Sequence, residues 1–368
     1  MRARAGLAAL AALALALGAV LAAPPASASS ASPACGDTLT RDTVLAADLT
    51  CADGPGLRLA PGVSLDLGGH TLRGPGHGVG VEVATAGTAA VRGGTVAGWA
   101  TGVGTVVVTS APRGPLAVDR MTFRDNAEGL DVSGEPGTGD HRKVTTVTAS
   151  RFAGNGTAVL AAWFGTVRVN GTTFADNATA VVLDGGGGTV TRSRFVRNEL
   201  AVAAVEADAD VSGSTFVANT VGVRAAYGAM ATLRDDEFVG SEVAVDAETG
   251  TLTVSGSRFT ANGTGVVLGL LASVVEGSTF QANGTGVTHR GAWREASRIE
   301  GNVLRLNGDG IHLDPADPLV AIGGNDVRHN ARWGVHAPGA TDLGGNVARG
   351  NGYRPPCLGV VCRWASRS

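Results

Sequence analysis

Aromatic residues are scarce: nine Phe, five Trp and two Tyr make up 4% of the 368 residues. So few rings make the flat outer faces a solvated sheet and not an aromatic platform for sugars. Excess charge is missing too. The formal net charge is −3 at pH 7, and loss of the first 28 residues, with Arg2 and Arg4 and no acids, takes it to −5. Such a mild acidic balance argues against a nucleic-acid partner. Long apolar runs are confined to the amino terminus, and no later stretch reaches the ~18 uninterrupted apolar residues of a membrane span. Cysteine is limited to Cys35, Cys51, Cys357 and Cys362, whose spacings match neither CxxC nor a zinc pattern.

What is present is one pattern written repeatedly. In Thr253 to Leu268, TVSGSRFTANGTGVVL, an aliphatic residue (Val254) is followed by Phe259, then Asn262, then Val266. Sliding this template along the chain gives thirteen registers, with the Phe slot held by Leu72, Val96, Phe123, Phe152, Phe174, Phe195, Phe216, Phe238, Phe259, Phe280, Leu304, Val327 and Ala348. The slot five residues earlier is always apolar, from Leu67 to Leu343, and Asn recurs three residues after the Phe slot. The step is 21 or 22 residues through the middle of the chain. A fixed period in this range marks a solenoid, in which each unit buries its apolar face against its neighbours.

The units are short alternating runs such as TLTV and GVVL, broken by Asn, Gly and Ser, so they are expected to be strands rather than helices. Stacked in register, the Phe rings fill an interior column and the Asn amides form a turn ladder. An all-β solenoid of about thirteen coils follows. The repeat resembles the right-handed single-stranded parallel β-helix of the pectate-lyase-like superfamily over roughly residues 57 to 352. The resemblance and the usual crossover hand together imply a right-handed coil.

Arg2 and Arg4 precede an uncharged run from Ala5 to Ala22, and Ala26-Ser27-Ala28 offers a small-residue cleavage site. Residues 1–28 therefore read as a secretory signal peptide, which implies an exported, extracellular protein. Residues 29–66 are expected to form an amino-terminal cap, 67–352 the β-helix, and 353–368 a carboxy-terminal cap and tail. Thirteen coils at about 4.8 Å make a rod of roughly 60 Å, whereas bridged Cα atoms lie about 4.4–6.8 Å apart. Cross-end pairing is thus impossible, and Cys35–Cys51 with Cys357–Cys362 is expected. Bridges persist in an exported protein and would pin the end coils, whose open edges invite aggregation.

Two insertions, at 110–115 and 134–143, fall at the same junction of the coil, a place where solenoids often build a binding surface. The five Asn-x-Thr sites, Asn155, Asn170, Asn177, Asn262 and Asn283, read chiefly as turn residues, with Asn-Gly suited to positive φ, rather than as glycan acceptors.

The carboxy-terminal coils carry the candidate chemistry. Stacking places His312 beside His336, and Asp314 beside Arg290, on the outward side of the strand after the Asn turn, with Trp293, Arg294 and Trp333 close in sequence. An imidazole pair, a carboxylate and a guanidinium could abstract a proton from a sugar acid and hold its carboxylate, or bind a metal. Asp235-Asp236 is a second candidate, but adjacent strand residues point to opposite faces. Gly76-His77-Gly78 resembles a motif of the polygalacturonase-like hydrolases, whose aspartate pair comes earlier in the chain. Gly310 to Pro315 resembles a motif of the β-helical uronate epimerases with the order of His and Asp-Pro changed. The arginine and calcium-ligand pattern of pectate lyases is absent, so no cofactor is evident and calcium has no motif.

Two functions follow as expectations. One is a non-catalytic exported rod, acting alone, that binds a polysaccharide or cell-surface glycan or serves structurally. The other is a uronate lyase or C5-epimerase acting through His312, His336, Asp314 and Arg290.

Overall fold

The computed structural model describes residues 32–84, 87–106, 113–134, 144–289, 291, 295–314 and 318–363. The expected signal peptide, half of the 110–115 insertion, all but the first residue of 134–143, Arg290, Trp293 and Arg294 lie outside the described residues. Every regular element among the described residues is a strand, and every strand pairing is parallel.

Each coil has three faces, exemplified by Thr251–Ser255, Arg258–Thr260 and Thr264–Leu268. The third face alone is a column of fifteen strands running from Thr38–Leu39 to Cys357–Leu358. Coil stacks on coil at constant register: Val211 pairs with Leu233, Leu233 with Val254, and Val254 with Val275. The Phe slot keeps the same register, Phe216 to Phe238 to Phe259 to Phe280. From Phe123 to Phe280 the rings form one buried column, with successive centroids 4.5 to 5.1 Å apart and planes 2° to 12° from parallel. The spacing of the sheet sets the spacing of the rings, so these pairs stack offset rather than edge to face.

The Asn slot turns the chain from the second face to the third. Asn262 illustrates its work: Nδ2 donates to Asn283 Oδ1 at 3.0 Å and to the Phe238 carbonyl at 3.1 Å, while its backbone N–H donates to the same Asn283 Oδ1 at 2.9 Å. A buried corner without such partners would cost free energy at every coil. Positive φ falls on the residue before each Asn, as at Ala261 (55°), Ala282 (57°) and Asp176 (59°), so the expectation that the Asn itself takes that conformation is corrected. Asn155, Asn177, Asn262 and Asn283 are buried with their amides engaged, which removes them as glycan acceptors; Asn170 is half-buried on the first face. Trp99 ends the ladder by imitation: its Nε1 donates to the Leu72 carbonyl at 3.3 Å, as Asn126 Nδ2 does to the Val96 carbonyl at 3.2 Å.

A second ladder occupies the corner between the first and second faces. It runs through Ser150, Thr172, Ser193, Ser214, Asp236, Ser257, Ser278, Asn302, Asn325 and Asn346, all buried, each using a side-chain oxygen to accept the backbone N–H of its predecessor. Its sequence signal is a polar residue two before the Phe slot.

The disulfides close as expected, Cys35–Cys51 with Cα atoms 5.7 Å apart and Cys357–Cys362 with 6.1 Å. Each sits at one end of the stack. The chain is therefore a parallel β-helix, and its outward columns are set by its register.

Candidate functional site

On the third face the slots of Val266, Val287 and Ile311 face the core, and parallel pairing carries the slot after them, half-buried at Thr288, His312 and His336, from coil to coil. That column reads Arg224, Asp246, Val267, Thr288, His312, His336 and Leu358, with Asp246 and Val267 buried. The His312 and His336 rings stack at 4.8 Å between centroids, 25° from parallel. Both Nδ1 atoms are buried without a hydrogen-bond partner, while the two residues as a whole are half-buried.

Beyond the pair, the rings continue. Trp333 lies 5.1 Å from His336, and Tyr353 meets Trp333 edge-on at 4.9 Å. Tyr353 is exposed and Trp333 half-buried, so the run emerges at the surface of the last coils.

The carboxylate beside this run is Asp309, not Asp314. Asp309 takes the outward slot held in the preceding coil by Thr285. Its side chain is 3% exposed, and Oδ2 lies 3.5 Å from His312 Nδ1, a contact rather than an aligned hydrogen bond. Oδ1 accepts the Trp333 backbone N–H at 3.1 Å, and both oxygens bind the Arg332 guanidinium. Burial would push the Asp309 carboxyl up, but the Arg332 hydrogen bonds, the Trp333 amide and the neighbouring cations more than offset it and hold it below the usual carboxylate range. The carboxylate in turn raises Arg332. The guanidinium stays half in solvent, with 52% of the side chain exposed. Asp309 follows Thr264 and Thr285 in its column, which elsewhere holds Leu200, Val221, Val243 and another acid, Glu128, so the column alone did not single it out.

The other sequence candidates are placed as follows. Asp314 is exposed two residues past the strand Asp309–His312, and among the described residues no ion pair joins it to the histidines. Its expected neighbour Arg290 lies outside the described residues. His289 is buried in the slot of Leu268, facing the core rather than this patch. Asp235 and Asp236 do not converge: Asp235 takes a turn φ of 56° and is exposed, whereas Asp236 is buried in the second ladder. His77 is exposed at the amino-terminal end, 3.8 Å from Asp53. Among the described residues no three His, Cys, Asp or Glu side chains converge to hold a metal ion.

Chemically, the patch offers ring faces, a half-exposed arginine side chain and two stacked, half-buried imidazoles. Such groups can stack on a sugar, bind a carboxylate and move a proton.

Comparison with known proteins adds little to this geometry. No family model and no curated protein matches the chain. Among solved structures it is similar to the periplasmic alginate epimerase AlgG, at 12% identity and a TM-score of 0.36 over 85% of this chain and 77% of that one. It is similar also to the A-module of the Azotobacter vinelandii mannuronan C-5 epimerase AlgE6, at 15% identity and a TM-score of 0.34 over 91% and 92%.

Proposed function

We propose that this is an exported β-helix that binds acidic polysaccharide through the patch on its last coils. The observation that carries this reading is the run of rings from His312 through His336 and Trp333 to Tyr353, flanked by the Arg332 guanidinium. Rings present flat faces to the C–H side of a sugar, and a guanidinium supplies a planar match for a uronate carboxylate. The Asp309 pair holds Arg332 in place while 52% of its side chain stays exposed. Affinity electrophoresis through gels containing polygalacturonate or alginate tests the reading. The wild type should be retarded and a Trp333→Ala, Tyr353→Ala variant should not; equal mobility of both in every gel would refute it.

A second reading is favoured by one distance. Asp309 Oδ2 at 3.5 Å from His312 Nδ1 sets a buried carboxylate beside a half-buried imidazole, which would orient it as a general base once the contact shortens to a hydrogen bond. On that reading His312 would take the proton at C5 of a uronate, as a lyase or C5-epimerase requires. Incubating uronate polymers with the protein in deuterated water and following C5 exchange by NMR separates the two: exchange abolished by His312→Ala establishes the catalytic reading, and none with wild type leaves binding alone.

A further inference from the structure

A different part of the rod shows a built surface that the acidic-glycan patch does not use. On the first face, near the middle of the described coils, lies a concavity of about 430 Å³. Within its lining, Gly187 holds the outward slot that Thr166 and Asp208 fill in the adjacent coils and Met230 one coil further on. Arg168 stands on one side of the dip, Asp208 and Asp210 on the other, with Met230 as an exposed apolar wall. Asp210 is paired with Arg234 at 2.9 Å, so cations and carboxylates balance around the dip.

The corner that leads into this face carries rings where the repeat uses small or polar residues. Backbone hydrogen bonds align Trp163 with Gly185, Gly185 with Glu206, and Glu206 with Tyr227. Trp163 is 59% and Tyr227 69% exposed, although side chains of this size are usually buried. Both sit in the left-handed region, Trp163 at φ 51° and Tyr227 at 52°, and Phe164 follows at 67°. Two consecutive bulky residues in that region are strained, and Gly185 at 64° shows that glycine fits the same corner. A fold that accepts glycine here, yet carries exposed Trp and Tyr three coils apart, about 14 Å along the rod, keeps them for something other than packing.

We propose that Trp163, Tyr227 and the adjoining dip form a second glycan site, specific for neutral polysaccharide. The rings would stack on pyranose faces, and Arg168, Asp208 and the Asp210–Arg234 pair would bind hydroxyls. Neutral rather than acidic sugar is favoured because the walls balance in charge and Glu206 stands in the corner between the two rings, which repels a polyanion.

Affinity electrophoresis in gels containing a soluble neutral glucan or xylan, with polygalacturonate as the acidic arm, tests the proposal. Wild type should be retarded by a neutral polymer, and Trp163→Gly with Tyr227→Gly should weaken that retardation about tenfold or more. The same variant should melt no lower than wild type, because Gly185 already serves that corner, and should keep any interaction with polygalacturonate. No retardation by any neutral polymer, or retardation that survives the substitutions, overturns the proposal. So does concentration-dependent dimerisation in sedimentation that the substitutions abolish, which would make the rings a self-association surface.

Discussion

His312 and His336 stand one coil apart with their rings stacked at 4.8 Å and both Nδ1 atoms buried. Two rings held this closely share an energy that neither holds alone. In a double-mutant cycle on uronate binding, His312→Ala and His336→Ala are each expected to weaken affinity about tenfold, and the double variant less than a hundredfold. Strict additivity would show that the two rings act separately.

Asp309 organises the patch from below, so Asp309→Asn should loosen it. Loss of the charged bonds to Arg332 is expected to cost about 1–3 kcal/mol at neutral pH, kept moderate because Arg332 is half exposed and regains water. The Asp309 carboxyl is lowered in the fold, so its contribution is present above the unfolded pKa of about 4 and fades as pH falls through the folded value. Urea melts of wild type and variant should therefore converge in acid and separate at neutral pH.

Asp236 predicts the opposite pH dependence. Burial in the second ladder pushes its carboxyl up to about 7, and Oδ2 has no hydrogen-bond partner while Oδ1 accepts the Ser214 N–H at 2.8 Å. A carboxyl whose folded pKa lies above its unfolded pKa of about 4 holds its proton in the fold, so stability falls as pH rises between the two values. Asp236→Ser copies the Ser214 and Ser257 rungs on either side. It is expected to stabilise the rod by about 1–3 kcal/mol at pH 8 or so, and by little near pH 4. A stability difference that does not grow with pH would show that Asp236 is already solvated.

The Asn ladder is interrupted once in its middle, at Ser241. The Ser241 hydroxyl is buried without a partner, and Asn219 Nδ2 donates only to the Phe195 carbonyl. Ser241→Asn should restore the missing rung and raise stability by about 1 kcal/mol. Denaturant midpoints at constant slope measure it, and an unchanged midpoint would mean the corner lacks room for the amide.

In the Phe column, Phe216→Ala removes a buried ring stacked at 4.7 Å on one side and 4.5 Å on the other. The expected loss is about 3–5 kcal/mol. Because each coil touches only its neighbours, hydrogen exchange should rise first in the coils around Phe195, Phe216 and Phe238, and not at the disulfide-pinned ends.

The residues themselves determined much of this protein. Phe every 21 or 22 positions, an apolar residue five before it and Asn three after it allow only one economical packing, like on like in successive coils. That translation fixed the parallel register, the cysteine pairing and the adjacency of His312 to His336, because a slot in one coil must face the same slot in the next. Other features depended on tertiary surroundings. Asp309 rather than Asp314 stands behind His312, since only the fold shows which outward slot is roofed by Arg332 and Trp333 from the following coil. Asp236 became a buried acid because its corner turns inward, and Trp163 and Tyr227 became exposed because theirs turns outward. A repeat specifies where a side chain begins; what covers it is decided by its neighbours along the rod, and this is where a period carries no information.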